Sequence, residues 1–257
     1  MELSLVIPVY NCAGSVRADM SRLLEFLSGH FESFELIIVN DGSSDDTAAQ
    51  ILLLNHPAVR LESLPHNQGK FAAICRGMEI ASGQSCVFTD ADLPFDLEAL
   101  GYISQLILKR GYHVVTGDRS LKESYYGAAL PLSRRLASRF YSHIVRLALT
   151  GGLFDTQCGL KGFSRDAAKE LFPLIRDKRF GGDIELLYLA LKYNLEIRRI
   201  PVRLKRCDTS TVKLSRDTLG LLLRLAMTPL LWRLKVYESE SLRRLGAQAY
   251  WDSAGER

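Results

Sequence analysis

The chain of 257 residues is predicted to adopt an α/β fold with a mostly parallel, doubly wound sheet. Two observations lead to this fold class. Short apolar runs alternate along the chain with segments whose apolar residues recur at helical spacing. Polar clusters follow several of the apolar runs, where the carboxyl ends of parallel strands form ligand sites. The length permits one large α/β domain or two small ones.

The first half of the chain holds the more regular alternation. Strands are predicted over residues 3–9, 34–39, 59–63 and 86–89, and helices over residues 15–27, 45–54 and 70–81. Asp45 or Asp46 is available to cap the second of these helices.

The second half is less regular. Helices are predicted over residues 97–108, 132–149, 166–172 and 184–193, and strands over residues 112–117, 159–163 and 196–203. From residue 214 onward the pattern is amphipathic and helical.

Composition excludes several classes of protein. Hydrophobic residues make up 47% of the chain and charged residues 24%, which is ordinary for a globular domain. A net charge of +4 is low for a nucleic-acid binder, although basic residues crowd the last quarter and predict an anionic partner there. Five scattered cysteines without CxxC spacing argue against a disulfide framework and a zinc site, and indicate reduced thiols.

Asp90 and Asp92 are the candidate metal ligands. They flank Ala91 directly after a predicted buried strand, where two carboxylates can reach one divalent cation. Mg²⁺ and Mn²⁺ prefer such oxygen ligands and often share their coordination shell with substrate phosphates. The alternative is a turn or a pair of helix-capping residues ahead of Pro94.

Two further loops carry candidate ligand-binding groups. Asp41 follows the second strand and could accept hydrogen bonds from a nucleoside, whereas the residues after it are equally explained as a turn into a helix. Gly69 permits close backbone approach, and Lys70 could meet a phosphate or a base. The alternative there is a glycine turn with a solvated lysine.

Four segments together resemble the inverting glycosyltransferases of family two, which have the GT-A fold. These are Val6-Ile7-Pro8-Val9-Tyr10-Asn11, Val39-Asn40-Asp41-Gly42-Ser43-Ser44-Asp45-Asp46-Thr47, Asn67-Gln68-Gly69-Lys70 and Thr89-Asp90-Ala91-Asp92. The resemblance implies that Pro8, Val9, Tyr10, Asn11, Asp41, Gly69, Lys70, Asp90 and Ala91 bind the nucleotide. It also implies that Asp90 and Asp92 serve the diphosphate and its Mg²⁺ or Mn²⁺.

Three segments of the second half resemble the polyprenyl-phosphate sugar transferases. They are residues 117–120, residues 155–163 and Asp183-Ile184-Glu185. The Asp-Thr-Gln-Cys-Gly string at residues 155–159 is most similar to dolichyl-phosphate β-glucosyltransferases, and mannosyl relatives share the outline. Mannosyl relatives often have a glutamine where this chain has Pro94, so Gln157 becomes a candidate third metal ligand.

The resemblance implies transfer of a sugar, with UDP-glucose favoured as donor, to polyprenyl or dolichyl phosphate with inversion. Bidentate guanidinium groups suit phosphate. The candidates for the acceptor phosphate are Arg119, Arg135, Ser138, Arg139, Lys161, Arg206 and Lys213. Arg119 and Asp183 join Asp90 and Asp92 as catalytic candidates; Asp183 could be a base or merely an N-cap. The alternatives are a family-two transferase acting on a saccharide hydroxyl and a non-catalytic nucleotide-sugar-binding protein.

The predicted domain boundaries follow these motifs. A GT-A domain covers residues 1–213, with a nucleotide-binding half at 1–105 and an acceptor half at 106–213, and a membrane-interface tail covers 214–257. The alternative for the tail is packing on the same domain. We expect no signal peptide and no membrane span, and therefore monotopic or peripheral attachment at the cytoplasmic face of a membrane.

Overall fold

The computed structural model describes residues 1–126, 155–179, 181–204 and 227–255. The strands are β1 Leu3–Val9, β2 Phe34–Asn40, β3 Val59–Ser63, β4 Ser85–Phe88, β5 Val114–Asp118, β6 Tyr125–Tyr126, β7 Lys161–Ser164, β8 Ile197–Pro201 and β9 Arg203–Leu204. The helices are α1 Val16–His30, α2 Thr47–Leu52, α3 Lys70–Ile80, α4 Glu98–Arg110, α5 Arg165–Leu171, α6 Gly182–Lys192 and α7 Glu240–Gly255, and a 3₁₀ turn at Phe172–Leu174 follows α5.

Seven strands form the central sheet in the order β3-β2-β1-β4-β7-β5-β8. Strand β7 runs antiparallel to both of its neighbours, β4 and β5, and the other neighbouring pairs are parallel. Strands β6 and β9 form a separate two-stranded parallel ladder. The prediction of a mostly parallel α/β sheet is confirmed.

The sheet is buried on both faces, which explains its continuous apolar strands. All seven residues of β1 are buried. Because side chains alternate along a strand, Val6 belongs to one core cluster, whereas Leu5 and Ile7 belong to the other. Helix α3 packs on the first face through Phe71 and its neighbours.

Two predicted boundaries moved for identifiable reasons. Helix α2 begins at Thr47, because Asp45 Oδ1 accepts hydrogen bonds from the Thr47 backbone N–H and hydroxyl at 3.1 and 2.5 Å. The strand predicted over residues 196–203 is divided between β8 and β9. It breaks after Pro201, and the Val202 N–H is donated to Ser124 Oγ at 3.1 Å. The helix predicted over residues 132–149 lies outside the described residues.

The described part of the tail packs on the domain. Residues 227–233 are helical, and Trp232 makes edge contacts with Tyr188 and Tyr193 of the α6 region. Tyr237 and Leu242 are 1% and 0% exposed and belong to a core cluster of the sheet domain. Residues 227–255 are thus joined to the domain, as the packing alternative proposed, and the membrane-interface role of the tail stays a prediction. Among the described helices, none combines the length and apolarity needed to cross a membrane.

Candidate functional site

The loops after β1 and β2 are bonded to each other at the carboxyl edge of the sheet. Asn11 adopts a left-handed backbone with φ of 48°, and its Oδ1 accepts the Ser44 N–H at 2.8 Å. The Asn11 N–H is donated to Ser43 Oγ at 3.0 Å. Pro8 and Val9 are buried within β1, whereas Tyr10 is 48% exposed. Tyr10 and the exposed Asn11 are therefore the side chains of this predicted nucleotide-binding segment that a ligand can reach.

Asp41 holds the loop that follows β3. Its carboxylate is 2% exposed and accepts the backbone N–H groups of Gln68 at 2.7 Å and Gly69 at 2.9 Å, one on each oxygen. Such charge-assisted bonds fix the loop strongly. In this arrangement Asp41 shapes the entry to α3, and contact with a nucleoside stays a prediction.

Gly69 is required by its surroundings. Its φ is 107°, a conformation that L side chains rarely adopt, and an added methyl group would overlap the carbonyl oxygen of Lys178. That same carbonyl accepts the Ala72 N–H at 3.1 Å. The glycine thus lets the loop before α6 close over the beginning of α3.

Lys70, the first residue of α3, forms an ion pair with Asp90. Burial disfavours the ammonium form, but the charges of Asp90, Asp183 and Asp92 outweigh burial and raise the pKa of Lys70. The two paired side chains keep 40% and 30% of their exposure, so the pair faces the ligand side of the sheet edge. Sequence reasoning placed Lys70 near phosphate; the structure adds that it stands beside the candidate metal ligand.

The environment of Asp90 suits a divalent cation. Within the described residues, Asp90 Oδ1 is buried and pairs with the Lys70 ammonium, so this oxygen already accommodates a cation. The described chain contains no group of three or more His, Cys, Asp and Glu placed to hold a metal. The residues present fit Mg²⁺ or Mn²⁺ held by Asp90 and Asp92, with substrate phosphate and water as the remaining ligands.

Gly159 carries a constraint that the sequence motif did not explain. A methyl group added there would overlap the carboxylate of Asp90. The string at residues 155–159 therefore packs directly behind the candidate metal ligand, and Gln157 lies two residues away. The signal in the sequence was a glycine just before a short strand, which indicates close approach of another group.

Arg119 pairs with a carboxylate of the protein. Its Nε and Nη2 atoms donate to the two oxygens of Asp155, both at 2.7 Å, and its backbone N–H donates to Asp155 Oδ2 at 2.8 Å. Although burial disfavours the Asp155 carboxylate, these bonds lower its pKa. The guanidinium fork expected to hold the acceptor phosphate is thus engaged, and a phosphate contact by Arg119 stays a prediction.

Lys161 and Asp183 also pair with each other. Lys161 Nζ donates to Asp183 Oδ1 and to the Cys158 carbonyl, both at 2.6 Å, and the lysine side chain is 0% exposed. Direct phosphate contact by Lys161, which we predicted, does not fit this burial. Asp183 lies in the first turn of α6, whose N-cap is Gly181, so the capping explanation for Asp183 was wrong.

Five candidates for the acceptor phosphate cannot be placed in this site. Arg135, Ser138, Arg139, Arg206 and Lys213 lie outside the described residues.

Glu185 is a buried acid for which we predicted no role from the sequence. It is 3% exposed; Oε2 accepts the N–H groups of Arg176 and Asp177 at 3.0 and 2.8 Å, and Oε1 accepts the Tyr237 hydroxyl. Burial, reinforced by Glu185, raises the pKa of Tyr237. The sequence did contain a sign of this site. Glu185 lies among apolar residues of α6, and a buried acid needs hydrogen-bond donors around it.

Comparison with known proteins identifies the family. The model of "Glycosyl transferase family 2" matches residues 4–172. The dolichyl-phosphate beta-glucosyltransferase of Dictyostelium discoideum is 28% identical over 253 residues, which cover 91% of this chain and 77% of that protein. The dolichyl-phosphate beta-glucosyltransferase of Drosophila melanogaster is 32% identical over 82% of this chain and 69% of its own length.

A solved structure shares the fold. Glucosyl-3-phosphoglycerate synthase from Mycobacterium tuberculosis, in complex with Mn²⁺, UDP-glucose and phosphoglyceric acid, superposes with a TM-score of 0.64 at 19% identity. The match covers 92% of this chain and 81% of that one. Because the family model matches well over half of the chain, the chain belongs to glycosyltransferase family two and is a glycosyltransferase similar to the dolichyl-phosphate glucosyltransferases.

Proposed function

We propose that this glycosyltransferase moves glucose from UDP-glucose to dolichyl phosphate or another polyprenyl phosphate, with inversion at the anomeric carbon and with Mg²⁺ or Mn²⁺ bound. The observation that carries the donor side is the cluster of Lys70, Asp90 and Asp92 at the carboxyl end of β4. A cation and paired carboxylates at this edge suit a diphosphate with its metal.

The acceptor is proposed from the relatives. Proteins named dolichyl-phosphate beta-glucosyltransferase align over most of this chain, at 28% and 32% identity for the two described above. The string at residues 155–159, which resembles those enzymes, lies against Asp90 through Gly159. The segment that indicates the acceptor class therefore adjoins the place proposed for the leaving diphosphate.

The mechanism we propose rests on positioning. A phosphate acceptor is already ionised at neutral pH, so no strong general base is required for its attack on the side opposite the leaving diphosphate. Lys70 would hold and neutralise the diphosphate, and the loops fixed by Asn11 and Asp41 would orient the nucleoside. A divalent cation at Asp90 and Asp92 would supply further charge stabilisation for the leaving group.

The test is to incubate the purified protein with a panel of labelled nucleotide sugars, polyprenyl phosphate, and either Mg²⁺, Mn²⁺ or EDTA. We expect label from UDP-glucose in a lipid fraction that mild acid cleaves, and none with EDTA. Transfer from another labelled nucleotide sugar would show that the donor is not UDP-glucose. Transfer only to saccharide hydroxyls, abolished by Asp183→Asn, would replace this proposal with the alternative that uses Asp183 as base.

We also propose that the tail contacts a membrane surface, as its lipid acceptor requires. In the described part of the tail, Met227, Leu230 and Leu234 are 51%, 51% and 64% exposed, and Arg233 and Lys235 lie beside them in sequence. Apolar residues among cations suit an anionic lipid interface. The four described cysteines are free thiols, which supports the cytoplasmic face.

Co-sedimentation with vesicles tests this contact. Leu230→Ser/Leu234→Ser should weaken binding to vesicles that contain anionic lipid by about 30-fold, since each of the two leucines contributes on the order of 1 kcal/mol when buried in lipid. Leu52→Ser/Leu53→Ser is the matched control, because these leucines are 68% and 55% exposed at the end of α2. Equal binding by both double variants would exclude the tail as the contact surface.

A further inference from the structure

Lys161 is a fully buried lysine at the start of β7, in a site whose other cations keep part of their exposure. Its Nζ lies 5.5 Å from the centre of the Phe88 ring and donates to the Cys158 carbonyl and to Asp183 Oδ1. The Asp183 side chain keeps 13% of its exposure. The pair therefore extends from the core, where the ammonium lies, to the rim of the site, where the carboxylate lies.

Stability does not account for such a pair. Removing two charges from water costs several kcal/mol per ion, and apolar replacements of buried pairs are often neutral or stabilising. Apolar neighbours are plentiful here, since Phe88, Phe163 and Phe172 form an aromatic cluster, with one stacked and two edge-to-face ring pairs, around this part of β7. A buried ion pair within an aromatic core suggests that the carboxylate is needed where the lysine holds it.

Two features of the fold place this pair near the candidate metal ligand. In the antiparallel ladder Lys161 is opposite Phe88, two residues before Asp90, and Gly159 packs on the Asp90 carboxylate. From the other side, a methyl group at Gly182 would overlap the Phe71 ring, so this glycine lets α6 approach α3.

The charges of this region alternate in sign. Lys161 pairs with Asp183 at 2.6 Å, and Lys70 pairs with Asp90. The first pair reaches into the core, with exposures of 0% and 13%, and the second keeps 40% and 30% of its exposure at the proposed metal site. Because Lys161 Nζ donates to Oδ1 of Asp183, rotation of the carboxylate is restrained. The buried lysine therefore sets the orientation of the other carboxylate oxygen.

We propose that Lys161 is a positioning residue that holds the Asp183 carboxylate at the rim of the site, toward the bound nucleotide sugar. The inference rests on the proposed function and adds a residue that acts through Asp183 without touching substrate. It assigns to the lysine of the string at residues 155–163 a role different from phosphate binding.

The experiment compares Lys161→Met, Asp183→Asn and the double variant by turnover, donor KM and thermal unfolding. We expect Lys161→Met to lower kcat by about 30-fold, as for the misplacement of a group that orients the substrate, with donor KM changed less than threefold. Lys161→Met leaves the Asp183 carboxylate without its buried partner, and the double variant removes that charge. The double variant should therefore recover most of the unfolding midpoint that Lys161→Met loses, but none of the lost turnover. Lys161→Arg, which keeps the charge, should retain more activity than Lys161→Met.

A merely structural role predicts the opposite pattern. If the double variant regained at least half of the wild-type turnover, or if Lys161→Met kept full turnover, the inference would be overturned. Lys169→Met is the matched control, because this lysine is exposed on the adjoining helix α5 and should change neither quantity.

A second readout separates this inference from the proposed function. Release of UDP from UDP-glucose by water requires no lipid acceptor. If the wild type fails to label polyprenyl phosphate, the proposed function is wrong. The same variants are then ranked by UDP release, where equal rates for wild type and Lys161→Met would overturn the positioning role.

Discussion

Three acidic or amide side chains of the nucleotide-binding half and three carboxylates of the second half are held in different ways. In the nucleotide-binding half, Asn11, Asp41 and Asp45 accept hydrogen bonds mainly from backbone N–H groups of nearby loops. In the second half, Asp118 and Asp155 are held by guanidinium groups, and Asp183 by a buried ammonium. These three side chains of the first half fix loops through the main chain, whereas these three carboxylates of the second half each have a cationic side chain as partner.

This difference predicts whether a single substitution lowers activity or stability. Backbone donors are present whatever the neighbouring side chain is, so the first half tolerates change around its carboxylates. A cation that is removed leaves a buried carboxylate without its counter-charge, which costs far more than the pair contributed. We therefore expect losses of activity without unfolding in the first half, and losses of stability in the second.

The largest effect is expected for Asp90→Asn. Glycosyl transfer should fall by about 10³-fold, comparable to the loss of a main source of charge stabilisation for a transition state. The unfolding midpoint should not fall, because Lys70 remains at the water-accessible rim. Steady-state assays and thermal unfolding measure both quantities.

Asp46→Asn is the matched control for Asp90→Asn, since Asp46 is an exposed acid whose side chain makes no capping hydrogen bond at α2. A comparable loss of transfer in the control would mean that charge near this edge, rather than Asp90 itself, is required.

Arg119→Met should have the next largest effect, this time on stability. The free energy of unfolding at pH 7 should fall by about 2 kcal/mol, less than the 3–5 kcal/mol typical of fully buried pairs because Arg119 is 32% exposed. Urea unfolding measures this. Arg244→Met removes a surface pair with Glu240 and should change the free energy by less than about 0.5 kcal/mol.

The pH dependence identifies the group responsible. Asp155 has a lowered pKa in the folded state, so the stabilisation is present above the unfolded value near 3.8 and is lost as pH falls toward the folded value. The difference between wild type and Arg119→Met should therefore shrink below about pH 3.8. A difference that stays constant to pH 2 would assign the loss to packing of the arginine stem.

Gly159→Ala tests the contact between the two halves, because Gly159 of the second half packs on Asp90 of the first. The added methyl group displaces the Asp90 carboxylate, so the affinity for UDP with Mn²⁺ should fall by about tenfold, or 1.4 kcal/mol. Titration calorimetry checks this value. Gly101→Ala, on α4 with open space around it, should leave the affinity unchanged and stabilise the helix by about 0.5–1 kcal/mol.

The sequence predicted the first half well because its signals are local. The strand of residues 3–9 and the helix starting at Lys70 were placed within a residue, since buried strands and helix entries depend on adjacent residues. Asp41, Lys70 and Asp90 were predicted to meet at one edge, and the topology brings them there. The partner of each was not predictable, because it depends on loop geometry.

The second half shows why partners are harder to predict than elements. Lys161 and Asp183 are separated by 22 residues, Arg119 and Asp155 by 36, and Glu185 and Tyr237 by 52. No periodicity connects such positions. A lysine in a strand and an arginine in a loop looked like phosphate ligands because the sequence does not show the carboxylate that each one meets. Tyr237 was likewise hidden within an amphipathic tail.

The antiparallel strand β7 has a consequence for the order in which the chain can fold. Strands β1 to β4 are complete once residue 88 has been synthesised, and β5 is complete at residue 118, but the strand between β4 and β5 begins at Lys161. During synthesis the emerging sheet must therefore keep two unpaired strand edges apart for more than forty residues. We expect nascent chains that end between residues 118 and 160 to be the species most dependent on chaperones.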